Sequence, residues 1–246
     1  MGFAKLESFL EDHIEGFFNK RLSSALEPVE LVKQLEREVL KRKRKVDECT
    51  LVPNDYTVFL NGEDYQRLCA HRVQGALYEA VEKQVIRQEC FMDGDLRVRL
   101  QKSKTVKPGV CEVQSCFTES KEAQQEEAEQ HTLVRERIEL RPSAEMPREH
   151  KIVSLTVVDG PDMDASLQFG EKQIYIGRRE KNDFILTDVN ASRLHAYIAY
   201  ERHRHVIHDA GSLNGTFLNG EKIEIACLQS GDEIQAGSTV LLYEVI

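Results

Sequence analysis

Six cysteines are spread through 246 residues without one Cys-x-x-Cys pair or any metal-ligand spacing. That absence excludes a disulfide-stapled secreted domain and a zinc module. It leaves reduced, mostly buried thiols, with no metal and no cofactor implied. No apolar run approaches the roughly 18 residues that a membrane-spanning helix needs. The opening MGFAKLESFLEDHIEGFF carries acids inside its apolar pattern and lacks a small-residue cleavage site, so it does not read as a signal peptide. Gly2 follows Met1, but position 6 is leucine, and the hydroxyl of a myristoylation motif is missing. There is no nucleophile–base pair and no Gly-rich nucleotide loop leading into a helix. An enzyme is therefore the least expected class. The formal net charge of −9 argues against a general nucleic-acid binder.

The length suggests about two domains. Over residues 1–117 the pattern is α+β. Phe3, Leu6, Phe9, Leu10, Ile14, Phe17 and Phe18 recur at helical spacing. Pro28 opens a second helix, with Val32, Leu35, Val39 and Leu40 on its apolar side. It runs into Lys41-Arg42-Lys43-Arg44-Lys45, where cations favour the helix dipole. A patch for an anionic surface or a nucleic acid is the sharper alternative. Residues 48–60 read as a strand that Pro53 confines to an edge or divides in two. Asn61-Gly62 signals a turn, and a long helix follows over Tyr65 to Val85. Leu96 to Leu100 alternates strictly, and Val110 to Phe117 would complete a hairpin with it. His13 and His71 stand alone on helices and do not suggest a metal site.

Residues 118–149 are rich in Glu and Gln and poor in apolar groups, the composition of an acidic flexible linker. From residue 150 to 246 the chain changes character. Short alternating runs such as QIYIG, HAYIAY, HVIHD and TVLLYEV are separated by Gly, Asp and Asn turns, which predicts an all-β sandwich. Three polar clusters interrupt these runs: Gly177-Arg178, Ser192-Arg193-Leu194-His195 and Gly211-Ser212-Leu213-Asn214-Gly215-Thr216. An arginine, a hydroxyl and an amide converging from three loops suit a phosphate better than a core.

Two stretches carry resemblances. LESFLEDHIEGFF, EPVELVKQLEREV and VPNDYTVFLN resemble the N-terminal domain of bacterial proteins of the FhaA type, which implies an adaptor domain without chemistry of its own. Gly177-Arg178, Asn182-Asp183, Ser192-Arg193-x-His195-Ala196, Ser212-x-Asn214-Gly215-Thr216 with Asn219-Gly220, and Gly231-Asp232-x-Ile234 resemble the forkhead-associated (FHA) pattern in order and spacing. That resemblance implies a sandwich of about eleven strands that binds phosphothreonine peptides through loops at one end.

The implied roles divide by chemistry. Arg178 offers a fixed fork and permanent charge to the phosphate. Ser192 offers a short hydroxyl, and Arg193 a second cation. Asn214 can bridge the peptide's N–H and C=O. His195 is expected to be buried and to fix loops rather than to touch phosphate. Gly177, Gly215, Thr216 and Asn219 belong with it as supports. Thr118 and Thr132 are candidate phosphoacceptors, since a phosphorylated threonine beside an FHA domain folds back onto it in some members. Arg202-His203-Arg204-His205 reads as a solvated hairpin turn.

The function expected from this is a non-enzymatic phosphothreonine adaptor in bacterial Ser/Thr kinase signalling. It would recruit phosphorylated kinases or their substrates and hold a second partner on its N-terminal domain. The implied location is cytoplasmic, with recruitment to the inner face of the membrane by partners. The competing reading is a phosphate-independent scaffold that uses a degenerate FHA fold.

Overall fold

In the computed structural model of this protein the residues described are 26–46, 49–118 and 150–246. The expected helix over Phe3 to Phe18, and Thr132, lie outside them. Pro28 opens α1 (Pro28–Lys41), whose Leu31, Val32, Leu35 and Val39 are buried along one side. The amide of Glu27 donates to Glu30 Oε2 at 3.0 Å and closes the first turn. The reading of Lys41–Lys45 as one helix terminus needs correction. α1 stops at Lys41, and β1 (Arg44–Val46) pairs with β2 (Cys49–Leu51). Arg42 Nη1 donates to the Ser115 carbonyl at 2.9 Å, and Arg44 lies 4.1 Å over the Phe117 ring.

Pro53 divides the next stretch and leaves β3 (Asp55–Leu60). This strand is central, not an edge. It pairs in parallel with β4 (Arg97–Lys102) and antiparallel with β5 (Cys111–Cys116). The expected hairpin between the last two strands is therefore overturned. The cause lies in β3 itself: Tyr56, Val58 and Leu60 are fully buried, so this strand gains most from neighbours on both edges. Asn61 does not make a turn. Its side-chain oxygen accepts from the amides of Glu63 and Asp64 at 2.8 and 3.2 Å and caps α2 (Gly62–Leu68). The single long helix expected to follow is broken at Cys69-Ala70 and continues as α3 (His71–Arg87). α2 and α3 together make the crossover that the parallel pair β3 and β4 requires. Thr118 is held to this unit: its amide donates to Asn54 Oδ1 at 2.7 Å, and its carbonyl accepts from Asn54 Nδ2 at 3.1 Å.

The C-terminal unit is all-β and has eleven strands among the described residues. They are β6 (Val153–Asp159), β7 (Ser166–Phe169), β8 (Ile174–Gly177), β9 (Phe184–Ile185), β10 (Ala196–Glu201), β11 (Arg204–Asp209), β12 (Thr216–Leu218), β13 (Glu221–Ile223), β14 (Ile225–Cys227), β15 (Asp232–Ala236) and β16 (Thr239–Val245). Five form one sheet in the order β14-β11-β10-β8-β9, and six form the other in the order β13-β12-β15-β16-β6-β7. Ile176, Ala196, Ile198 and Ile207 from the first sheet meet Leu155, Ile234, Leu241 and Tyr243 from the second in one core. The alternation that marks these strands in the sequence is this inward-facing set. β13 and β14 escaped sequence reading because they are three residues each and have no buried residue to set a period.

The two units touch. Ile86 of α3 is 1% exposed and packs into the sandwich core cluster. The run Arg202–His205 does hold the hairpin turn, Arg202-His203 joining β10 to β11, but it is not a solvated one: Arg204 and His205 are buried, and Arg202 and His203 reach across to the N-terminal unit. Arg202 Nε pairs with Asp93 at 2.8 Å, and His203 Nε2 donates to the Gly94 carbonyl at 3.0 Å. Glu82 of α3, wholly buried, accepts from the Tyr200 hydroxyl at 2.8 Å. His150 and Glu79 make a further pair at 2.7 Å.

Candidate functional site

The loops that carry the three polar clusters sit at one end of the sandwich, where β8 ends and β10 begins. Gly177 makes their close approach possible. Its φ of +148° suits glycine, and a Cβ there would lie 2.7 Å from the Ser192 carbonyl and 2.9 Å from that of Arg193. With no Cβ in the way, two backbone bonds zip the loops together. The amide of Arg178 donates to the Ser192 carbonyl and that of Arg179 to the Arg193 carbonyl, both at 3.0 Å. Asn182 Nδ2 also donates to the Arg193 carbonyl, at 2.8 Å.

Each expected contact residue has a defined place in this frame. Arg178 is exposed, but its Nε is held by the Ala191 carbonyl at 3.1 Å, which fixes the direction of the guanidinium. Ser192 Oγ accepts from the Leu213 amide at 3.0 Å, so its hydroxyl proton points away from that bond. Asn214 Nδ2 donates to the Asn190 carbonyl at 2.8 Å, which leaves its second N–H and its oxygen for a ligand. Arg193 shares a cleft of about 650 Å³ with Arg178, and Arg179, Glu180 and Lys181 line the rest. Leu213 and Val189 stand in the open beside Asn214 and Asn190, at 90% and 79% exposure.

His195 sits beneath the loops, fully buried. Its Nδ1 accepts from the Ser192 amide at 3.0 Å, so its Nε2 carries the proton and donates to the Gly215 carbonyl at 3.2 Å. Burial pushes its pKa below the usual value, against the pull of the Gly215 carbonyl and of Asp209 and Asp188. The neutral form is the one this geometry needs, because an imidazolium has no acceptor for the Ser192 amide. Replacing His195 with alanine strands a buried donor and a buried acceptor. It is expected to cost about 2–4 kcal/mol of stability, read as a lowered Tm.

Two aspartates that sequence reading passed over organise these loops. Asp209 accepts from the amides of Gly211 and Ser212 at 3.0 Å each and from the Thr216 hydroxyl at 2.6 Å. Asp188 accepts from the amides of Asn190 at 2.9 Å and Ser238 at 2.6 Å, and a Cβ on Gly237 (φ +71°) would collide with it. Burial works to raise both carboxyls, but these hydrogen bonds hold them below the ordinary carboxylate range. The signal was present: Asp188-x-Asn190 and Asp209-x-Gly211-Ser212 are turns in which a side chain accepts from amides two or three residues on. Thr216 is thus a brace. Asn219 braces a different turn, through Asp232 at 2.8 Å and the Glu233 amide at 2.9 Å. Thr118, clamped by Asn54, belongs to the N-terminal unit. Among the described residues no group of three His, Cys, Asp or Glu is placed to hold a metal, and no helix is long and apolar enough to cross a membrane.

Comparison with known families matches residues 3–114 to the FhaA N-terminal domain and residues 174–237 to the FHA domain. Among curated proteins the chain is 36% identical over 89 residues to the glycogen accumulation regulator GarA of Mycobacterium tuberculosis, covering 36% of this chain and 55% of that protein. It is 37% identical over 89 residues to the oxoglutarate dehydrogenase inhibitor of Corynebacterium efficiens, covering 36% and 63%. The chain spans a little over half the length of these relatives. One similar solved structure is the FhaA FHA domain complexed with the intracellular domain of Rv3910, at 29% identity and a TM-score of 0.35, covering 37% of this chain and 99% of that one.

Proposed function

We propose that this chain, which carries an FhaA-type N-terminal domain and an FHA domain, is a non-enzymatic reader of phosphothreonine that joins a phosphorylated protein to a second partner. The observation that carries the reading is the convergence of Arg178, Ser192, Arg193 and Asn214 on loops braced from below. A phosphothreonine brings about −1.5 to −2 charges and three strong acceptors. Arg178 meets it with a fixed fork, Ser192 with a hydroxyl and Arg193 with a second cation. Asn214 takes the peptide backbone, so the contact tolerates many sequences. Relatives named as a regulator and an inhibitor favour binding over catalysis. Ser/Thr kinase signalling is the setting in which such a reader works. A cleft of about 450 Å³ between α1 and β5, lined by Arg37, Lys41 and Arg42 among others, is a place for the second partner.

The test is capture on the full chain of an immobilised degenerate phosphothreonine peptide library and its unphosphorylated counterpart. Retention of the phosphorylated library alone is expected. Equal retention of both overturns the reading in favour of a phosphate-independent scaffold.

A further inference from the structure

The cleft beside the phosphothreonine residues holds more positive charge than one phosphate uses. Arg178, Arg179, Lys181 and Arg193 line it, against the single carboxylate of Glu180. Among the described residues none of the four cations has a carboxylate within ion-pair distance, whereas Arg202, Lys172 and Arg99 each have one. The chain as a whole carries −9, so this concentration of unpaired cations does not reflect its composition. Like charges gathered around one cleft repel one another unless an anion enters. A phosphate dianion satisfies about two of them. Roughly one net positive charge is then left over, on Arg179 and Lys181.

The backbone keeps these two side chains at the site's margin. The Arg179 amide is bonded to the Arg193 carbonyl, and its carbonyl accepts from the Asn182 amide at 3.0 Å. Asn182 is itself buried and tied to the Arg193 carbonyl. The turn over residues 179–182 is therefore fixed, and Arg179 and Lys181 project from it beside Arg193. The other margin presents the exposed apolar side chains of Leu213 and Val189, with Lys222 lying against Gly215 behind them. The densest positive charge is thus on the side of Arg179 and Lys181.

Resting on the phosphothreonine reading above, we infer that Arg179 and Lys181 form a second anionic subsite. The preferred ligands are peptides that carry, within a few residues of the phosphothreonine, a second phosphorylated or carboxylate side chain. Both sources share the chemistry of a negative group on a flexible side chain. A phosphate gains more, through its extra charge and acceptors.

The test is calorimetric titration of the full chain at 0.15 M salt with peptides of one sequence. One carries a single phosphothreonine. Others add glutamate, or a second phosphothreonine, at each of the three positions on either side. An unphosphorylated peptide completes the set. The best doubly anionic peptide is expected to bind about tenfold tighter than the singly phosphorylated one, the gain of two exposed ion pairs. In Arg179→Gln/Lys181→Gln that gain is expected to fall to about twofold or less, while the singly phosphorylated peptide changes by less than about threefold. If every second anion leaves affinity unchanged while the single phosphothreonine still binds, the subsite is refuted and the phosphothreonine reading survives. If the gain persists in the double variant, other residues supply it and the assignment fails. If phosphorylation makes no difference at all, the underlying reading fails. A glutamate gain equal to that of phosphate identifies acidic sequence as the preferred source, and a larger phosphate gain identifies double phosphorylation.

Discussion

Replacing Arg178 with alanine is expected to lower the affinity of the full chain for a phosphothreonine peptide about 100-fold or more. The size follows from what the side chain does before ligand arrives. Its Nε is held by the Ala191 carbonyl at 3.1 Å, so the two terminal nitrogens are aimed without further loss of freedom. Each charge-assisted bond they give a phosphate is worth about 1.5–3 kcal/mol, and two are lost together. Arg178→Lys keeps the charge but not the fork or the anchored Nε, so it is expected to recover only part of the loss. The fold should lose no more than about 1 kcal/mol: Arg178 is exposed, and only its part-buried bond to the Ala191 carbonyl goes with it. Titration of wild type and both variants with one phosphopeptide, beside thermal melts, separates the effects. Affinity in Arg178→Ala within threefold of wild type, with an unchanged melt, rules this arginine out as the phosphate ligand.

The same residue shows what the sequence makes legible and what it does not. Gly177-Arg178 is readable because a glycine before a cation at a strand end is a local fact, and the reason for the glycine, a close backbone crossing, is chemical. Ser192, His195 and Asn214 are readable for similar reasons: their types at that spacing point to polar loops between strands. The strands of the sandwich are legible wherever one face is buried, as along Ala196–Glu201, because burial imposes the two-residue period. The pairing of strands in the N-terminal unit is not. Arg97–Lys102 and Cys111–Cys116 are neighbours in sequence, but both pair with Asp55–Leu60, and only the total burial of Tyr56, Val58 and Leu60 decides that. Arg179 and Lys181 were read past because a lone cation in a loop is ordinarily solvated; their meaning comes from sharing a cleft with Arg178 and Arg193. Arg202–His205 misled for the same reason in reverse. Its composition is that of a surface turn, but Arg204 and His205 are buried against Leu228, Tyr243 and Gly170 of the sandwich itself, and Arg202 and His203 meet Asp93 and Gly94 far earlier in the chain, partners that local pattern cannot see.

That contact supports the second large expectation, that Ile86→Asp separates the two units without unfolding either. Ile86 is 1% exposed and lies in the sandwich's core cluster, while Leu77, Val81 and Val85 of the same helix are buried in the N-terminal core. A carboxylate at position 86 loses about 2–3 kcal/mol of apolar burial and adds the cost of an unpaired buried charge, which only separation relieves. Small-angle scattering should show a larger radius of gyration, with two folded units still protected from protease. The phosphopeptide site should keep its affinity within about twofold. It lies at the start of β10 and the contact at its end, six residues and about 20 Å away. An unchanged radius would mean that this face does not hold the units together. Acidity should act on the same contact with a definite sign. The pKa of His150 is raised above the usual imidazole value, chiefly by its bond to Glu79, and that of His203 is raised too: burial works against it, but Glu82 and the Gly94 carbonyl outweigh the burial. Groups with raised values hold the docked form below about pH 6.5 and release it as pH climbs through the raised value. Glu171, raised by burial beside Glu82, acts in the same direction at lower pH. Glu79 acts oppositely. Burial works against it, but His150 and Lys83 hold it below the ordinary range, so its share is lost only in acid. Docking is therefore expected to be firmest in mild acid, below about pH 6.5, and to loosen as pH rises through the raised values of these histidines. Glu82→Gln should remove the His203 share of that response and leave the His150–Glu79 share, because the carboxylate that His203⁺ faces is gone while the Tyr200 hydroxyl keeps an acceptor. A radius of gyration that does not grow between pH 6 and 9 in the wild type would show that these histidines do not control the contact.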